Sequence, residues 1–126
     1  MSDSDLRPSV WIGHVVLETD RLEDSAAFMR KLGMRAIFQG SDVAILELRG
    51  GTHLVLTRKS SVVPGAAPFD LMVDDLNGAH ARFTSLGLAP SAIESIPSVS
   101  HELFTIREPA GHVISVYSSH VEGRAV

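Results

Sequence analysis

The stretch from His14 to Met34, HVVLETDRLEDSAAFMRKLGM, lies over Pro68 to Leu88, PFDLMVDDLNGAHARFTSLGL, position for position and without a gap. Leu17 falls on Leu71, Asp20 on Asp74, Leu22 on Leu76, and Leu32-Gly33-Met34 on Leu86-Gly87-Leu88. Self-similarity of this kind marks a doubled structural unit. Each copy opens with an apolar run rich in β-branched residues, Val10 to Thr19 and Phe69 to Val73, which reads as a strand. Asp20 and Asp74 stand ahead of a helical stretch, where a short carboxylate can accept from the free N–H groups of a first turn. Leu22, Ala26, Met29 and Leu32 recur at helical spacing, as do Leu76, Ala79, Phe83 and Leu86, so each helix has one apolar face. Gly33 and Gly87 sit where a helix end needs the left-handed conformation.

Working outward, three short strands follow each helix. In the first copy they are Met34–Phe38, Val43–Leu48 and Thr52–Leu56, broken at Gln39-Gly40-Ser41 and Gly50-Gly51. In the second they are Ala92–Ser95, Leu103–Ile106 and Val113–Tyr117, broken around Pro97 and at Pro109-Ala110-Gly111. Pro64 to Pro68 is a stiff linker. The fold class is α+β: one domain over residues 1–126, built of tandem β-α-β-β-β modules at about 9–60 and 67–119. Each sheet has one face to bury on its helix and another free to line a cup.

Composition narrows the function. The chain has 126 residues, 44% apolar and 21% charged, an ordinary globular balance. Eleven basic against fifteen acidic side chains, Lys+Arg 11 and Asp+Glu 15, give a net charge of -4, which argues against a nucleic-acid partner. There are no cysteines, so disulfides, thiolate zinc sites and cysteine nucleophiles are excluded. Met1 to Pro8 is polar and lacks the apolar core of a signal peptide, and no apolar run reaches the roughly 18 residues of a membrane span. A cytoplasmic protein without a membrane partner is expected. No Gly-x-Ser-x-Gly elbow, Walker-type loop or Gly-x-Gly-x-x-Gly is present, leaving hydrolase and nucleotide chemistries unsupported.

The doubled order, with His14 on the first strand, Asp20-Arg21-Leu22, Leu32-Gly33-Met34 and Glu108-Pro-Ala-Gly-His112, resembles the vicinal-oxygen-chelate superfamily of glyoxalases, bleomycin-resistance proteins and dioxygenases. The resemblance implies a curved eight-stranded cup and a homodimer. Its metal-dependent members hold a divalent ion through about four side chains, usually two His and two Glu, from the first and last strands of each module. The ion acts as a Lewis acid toward two adjacent substrate oxygens. Its bleomycin-resistance branch binds a drug between subunits without a metal. Carried onto this sequence, the four ligand positions are His14, Val55, Pro68 and Ser115, and one of them is a metal donor.

A displaced set is the alternative. Side chains two apart share a strand face. If the family's positions line the cup, so do His14, Val16, His53, Val55, Asp70, Val113, Ser115 and Tyr117. His14, His53 and Asp70, with Glu47 if its parity points inward, would then suit zinc, iron or manganese. Tyr117 and His101 are candidate proton carriers. Ser115, Tyr117, Val55, Phe69 and His120 are candidate substrate contacts, and Trp11, Phe38 and Phe104 candidate apolar walls. His80 reads as solvent-exposed and His112 as a non-ligand. Three readings follow. The first is a small-molecule-binding protein without the four-ligand site. The second is a metal-dependent lyase, isomerase or dioxygenase around His14; a purely structural module is the third.

Overall fold

A computed structural model describes residues 6–99, 101–119, 121 and 123–126. The first copy runs β1 (His14–Thr19), α1 (Leu22–Leu32), β2 (Arg35–Gln39), β3 (Val43–Glu47) and β4 (His53–Arg58). The second runs β5 (Leu71–Val73), α2 (Leu76–Ser85), β6 (Glu94–Ile96), β7 (His101–Arg107) and β8 (Val113–Ser118). The strand orders are β1-β4-β3-β2 and β5-β8-β7-β6. In each sheet the first and last strands of the copy pair in parallel, and the other pairs are antiparallel. All eight expected strands form, divided into two sheets of four. β1 and β5 are both edges, and among the described residues no strand ladder joins the sheets.

The first strand begins at His14, not at Val10. Its partner β4 offers a ladder only from His53, whose N–H reaches the carbonyl of Gly13 at 2.8 Å. Ahead of that, the chain is held by the Thr52 hydroxyl on the Ile12 carbonyl at 2.6 Å. The helix caps also lie one residue later than the aspartates suggest. Asp75, not Asp74, caps α2, its Oδ1 accepting from Gly78 N–H at 3.0 Å. Asp74 pairs with Arg49 instead, at 2.8 Å. In the first copy the equivalent position is Arg21, which cannot accept, and Thr19 Oγ1 takes the Arg21 N–H at 2.9 Å. A cap must directly precede the first helical residue, and the helices start at Leu22 and Leu76. Gly33, at φ 118°, closes α1 with its N–H on the Arg30 carbonyl.

Alternation in the strands sends one set of side chains to the helices. Leu17, Ala44, Leu46, Leu54 and Leu56 meet Leu22, Ala26, Met29 and Leu32 of α1. Phe104, Ile106, Ile114 and Val116 meet Ala79 and Phe83 of α2 in the same continuous core. Phe83 and Phe104 pack edge to face at 5.9 Å. Phe104 is therefore core and not cup wall, and Phe69 is half-buried against that core as well. Phe104 is a large apolar side chain for which the helix-facing side offered more burial.

A buried polar chain ties the copies together. The Ser25 hydroxyl on α1 donates to Glu108 Oε2 at 2.7 Å, and His112 N–H donates to Glu108 Oε1 at 3.1 Å. Since Ser25 spends its one proton on Glu108, Thr19 donates to Ser25 at 2.7 Å. His112 Nε2 donates to the Glu18 carbonyl at 2.7 Å. Arg82 of α2 reaches the Leu32 carbonyl at the end of α1. The Glu-Pro-Ala-Gly-His turn is thus a clasp between modules. No buried side-chain polar atom among the described residues lacks a partner. No helix among them is long and apolar enough to cross a membrane.

Candidate functional site

The strand face turned away from α1 is open, and its register sets the side chains out in rows. His14 on β1 stands opposite His53 on β4, which stands opposite Glu47 on β3, which stands opposite Arg35 on β2. The next row is Val16, Val55, Ile45 and Phe38, in the same strand order. A polar row thus runs beside an apolar one across all four strands. Phe38 keeps its place after a bulge in β2, and its ring lies over Gly40, where a Cβ would collide with it. The two outer members of the apolar row, Val16 and Phe38, are 50% and 55% exposed, so the strip presents apolar surface at both of its ends.

The polar row is linked. Arg35 Nε donates to Glu47 Oε1 at 2.9 Å, reinforced by Nη2 on the same oxygen. Glu47 Oε2 takes Nε2 of His53 at 3.0 Å. The Arg35 hydrogen bond first, and the His53 hydrogen bond second, hold the Glu47 carboxyl below the ordinary carboxylate range. An ionised carboxylate only accepts, so the His53 proton resides on Nε2. The rings of His14 and His53 stand 5.8 Å apart, tilted by 49°.

On the open face of the second sheet Tyr117 faces Met72 and Leu103 across the ladders, and Ser115 faces Thr105. His101 stacks edge-on against Tyr117 at 5.3 Å. Asp70 departs from the expected grouping. It is exposed and lines a hollow of about 820 Å³ between the modules, with Leu71, Val73, Phe83, Arg82 and Arg49. His120 lies outside the described residues. His80 is not simply solvated: its Nε2 pairs with the Ser91 carbonyl at 2.8 Å and its ring meets the edge of Phe104 at 5.1 Å.

The structure therefore brings together His14, His53 and Glu47, and leaves Asp70 apart. These three do not make a metal cage. Glu47 has one oxygen on Arg35 and the other on His53, and among the described residues no three His, Cys, Asp or Glu side chains stand so as to hold an ion. Val55 and Ser115, ligand positions only by the resemblance, lie on the open faces with no donor suited to a divalent metal, and Pro68 has none. Sequence reasoning missed Arg35. Only its cross-strand pairing with Glu47 reveals it, and no spacing along the chain carries that information.

Solved structures share this architecture over nearly the whole chain. A lactoylglutathione lyase from Agrobacterium tumefaciens superposes with a TM-score of 0.74 at 22% identity, covering 94% of this chain and 100% of the other. The vicinal-oxygen-chelate fold is shown. The same fold recurs in a bleomycin resistance determinant encoded on transposon Tn5, with a TM-score of 0.71 at 20% identity, 89% of this chain and 100% of that one being covered. A bleomycin-binding protein in complex with bleomycin gives 0.69 at 18% identity, over 89% of this chain and 100% of its own. No protein-family model matches the sequence, and no curated protein matches it. At these identities the vicinal-oxygen-chelate scaffold is what is shared, and function must be argued from the side chains on it.

Proposed function

We propose that this chain is a small-molecule-binding protein of the glyoxalase and bleomycin-resistance type that works without the family's four-ligand metal site. The observation that carries the proposal is the pair of rows on the first sheet, an apolar strip of Val16, Val55, Ile45 and Phe38 beside an imidazole pair braced by Glu47 and Arg35. Apolar walls with a few oriented polar groups are what small-ligand pockets are made of. The bleomycin complex of a protein with this fold supports a small-molecule ligand. Tyr117, Ser115 and His101 on the second sheet complete the candidate contacts.

A homodimer belongs to the same proposal. β1 and β5 are unpaired edges, and Val10, Trp11, Ile12 and Met72 beside them are exposed at 80%, 68%, 62% and 50%. Edge pairing between two copies would bring an open face of each module together into one cup. A cytoplasmic location is part of the same proposal.

The competing reading, a metal-dependent lyase, isomerase or dioxygenase, rests on the neighbouring His14 and His53. Metal analysis of protein purified without chelators decides between them. A blank result, with no thermal stabilisation by added zinc, iron or manganese, is expected. Stoichiometric metal lost in His14→Ala and His53→Ala overturns the metal-free reading. A monomeric mass by light scattering at micromolar concentration would overturn the dimer.

A further inference from the structure

We infer that the ligand of the first sheet's open face is a flat apolar ring system bearing one O–H or N–H group, and that this group donates to Nδ1 of His53. The inference rests on the binding reading above and gives the ligand class for the same face.

The polarity of His53 is set by its neighbour. Glu47 accepts from Nε2–H at 3.0 Å, and Glu47 is itself held by Arg35, so the imidazole is fixed both in orientation and in tautomer. In the neutral imidazole Nδ1 is then a lone-pair acceptor. It has no hydrogen-bond partner among the described residues, and the His53 side chain is one-third exposed, at 33%, on the open face. A ligand donor completes it. A ligand whose only polar atom is an acceptor, or an anion, meets a lone pair there instead.

The dimensions of the face follow from strand geometry. Side chains two apart on one strand are separated by roughly 7 Å, and neighbouring strands by about 4.8 Å. A polar atom at His53 therefore sits about one ring's length from the strip formed by Val16, Val55, Ile45 and Phe38. The strip itself crosses four strands, roughly 14 Å. One or two fused rings, lying flat with the polar atom on the edge, match that layout. His14, beside His53 and with no hydrogen bond of its own among the described residues, can serve a second oxygen of either polarity.

The test uses the full-length protein and three probes of one shape: 2-naphthol, 2-methoxynaphthalene and 2-naphthoate. Binding is followed by ¹H–¹⁵N chemical shifts, including the imidazole nitrogens. Naphthol is expected to bind about tenfold more tightly than the methyl ether, with Nδ1 of His53 shifting and Nε2 remaining protonated. His53→Phe should abolish this preference while the apolar strip still binds both rings. Glu47→Gln should weaken the preference, because an amide can present either polarity to Nε2 and no longer selects one tautomer. Equal binding of naphthol and ether, or tighter binding of naphthoate, overturns the inference and leaves the binding reading standing. If no probe perturbs Val16, Ile45 or Val55, the binding reading itself fails.

Discussion

The carboxyl group of Glu108, 1% exposed, accepts a hydrogen bond from the hydroxyl of Ser25 across 2.7 Å, joining the turn before β8 to the helix of the other module. A buried acceptor left without its donor costs more than the hydrogen bond itself contributed. Ser25→Ala should destabilise the protein by about 2 kcal/mol and Glu108→Ala by about 3 kcal/mol, read by urea unfolding. The double variant should cost less than the sum, because each single change strands the other's polar group. Strict additivity would show that the clasp is not one unit.

The two helix starts predict opposite outcomes for two aspartates that each stand just ahead of a helix. Asp75 caps α2 through Gly78 N–H, so Asp75→Ala should cost about 1 kcal/mol. Asp20 is exposed and caps nothing, so Asp20→Ala should change thermal stability by less than about 0.5 kcal/mol. Equal losses would mean that α1 begins earlier than Leu22.

Two phenylalanines separate core from open face. Phe104 is fully buried between Phe83 and the strand core, and Phe104→Ala should cost about 3–5 kcal/mol. Phe38 is half-exposed over Gly40, and Phe38→Ser should cost under about 1 kcal/mol while weakening ligand binding. Chemical denaturation and the naphthol titration measure the two effects separately.

The polar row predicts a pH dependence. The Arg35 and His53 hydrogen bonds hold the folded-state value of Glu47 below its ordinary 4.5. Its stabilising contribution is therefore present above the unfolded value and is lost as pH falls through the lower folded value. Comparing wild type with Arg35→Leu by thermal melts from about pH 7 to about pH 3, the wild-type advantage should be present near neutrality and vanish at the acid end. The Arg35 side chain is 76% exposed, so added salt should shrink the advantage at every pH. An advantage that grows toward acid would contradict the assignment.

The doubled module was legible because its cues are local. Helix faces at Leu22–Leu32 and Leu76–Leu86, turn glycines and alternating strands each depend on residues a few positions apart. The same alternation put His14 and His53 on one face, as the register shows. Glu47 could not be placed, since Leu46 and Leu48 flank it equally. The β3–β4 register decides it, and that register is a property of the folded sheet. Asp70 was out of reach of the pattern for a related reason. It precedes a three-residue strand, and parity carries no weight outside the ladder. The Ser25–Glu108 contact spans both modules, so no local pattern could announce it.

The unpaired edges of β1 and β5 have a consequence for assembly. They are unlike edges on one chain, six residues long and three, and each presents unmatched backbone groups to any strand that can reach it. If one copy's β1 docks on another's β5 and the geometry stops there, two edges stay open and the contact can repeat without limit into a filament. A two-fold axis that makes both contacts at once leaves neither β1 nor β5 open. The Glu108 clasp, which ties the second module to α1 of the first, bears on the angle between the edges. In the proposed dimer, loosening the clasp should therefore trade a closed pair for an open-ended chain, a change in stoichiometry and not only in stability.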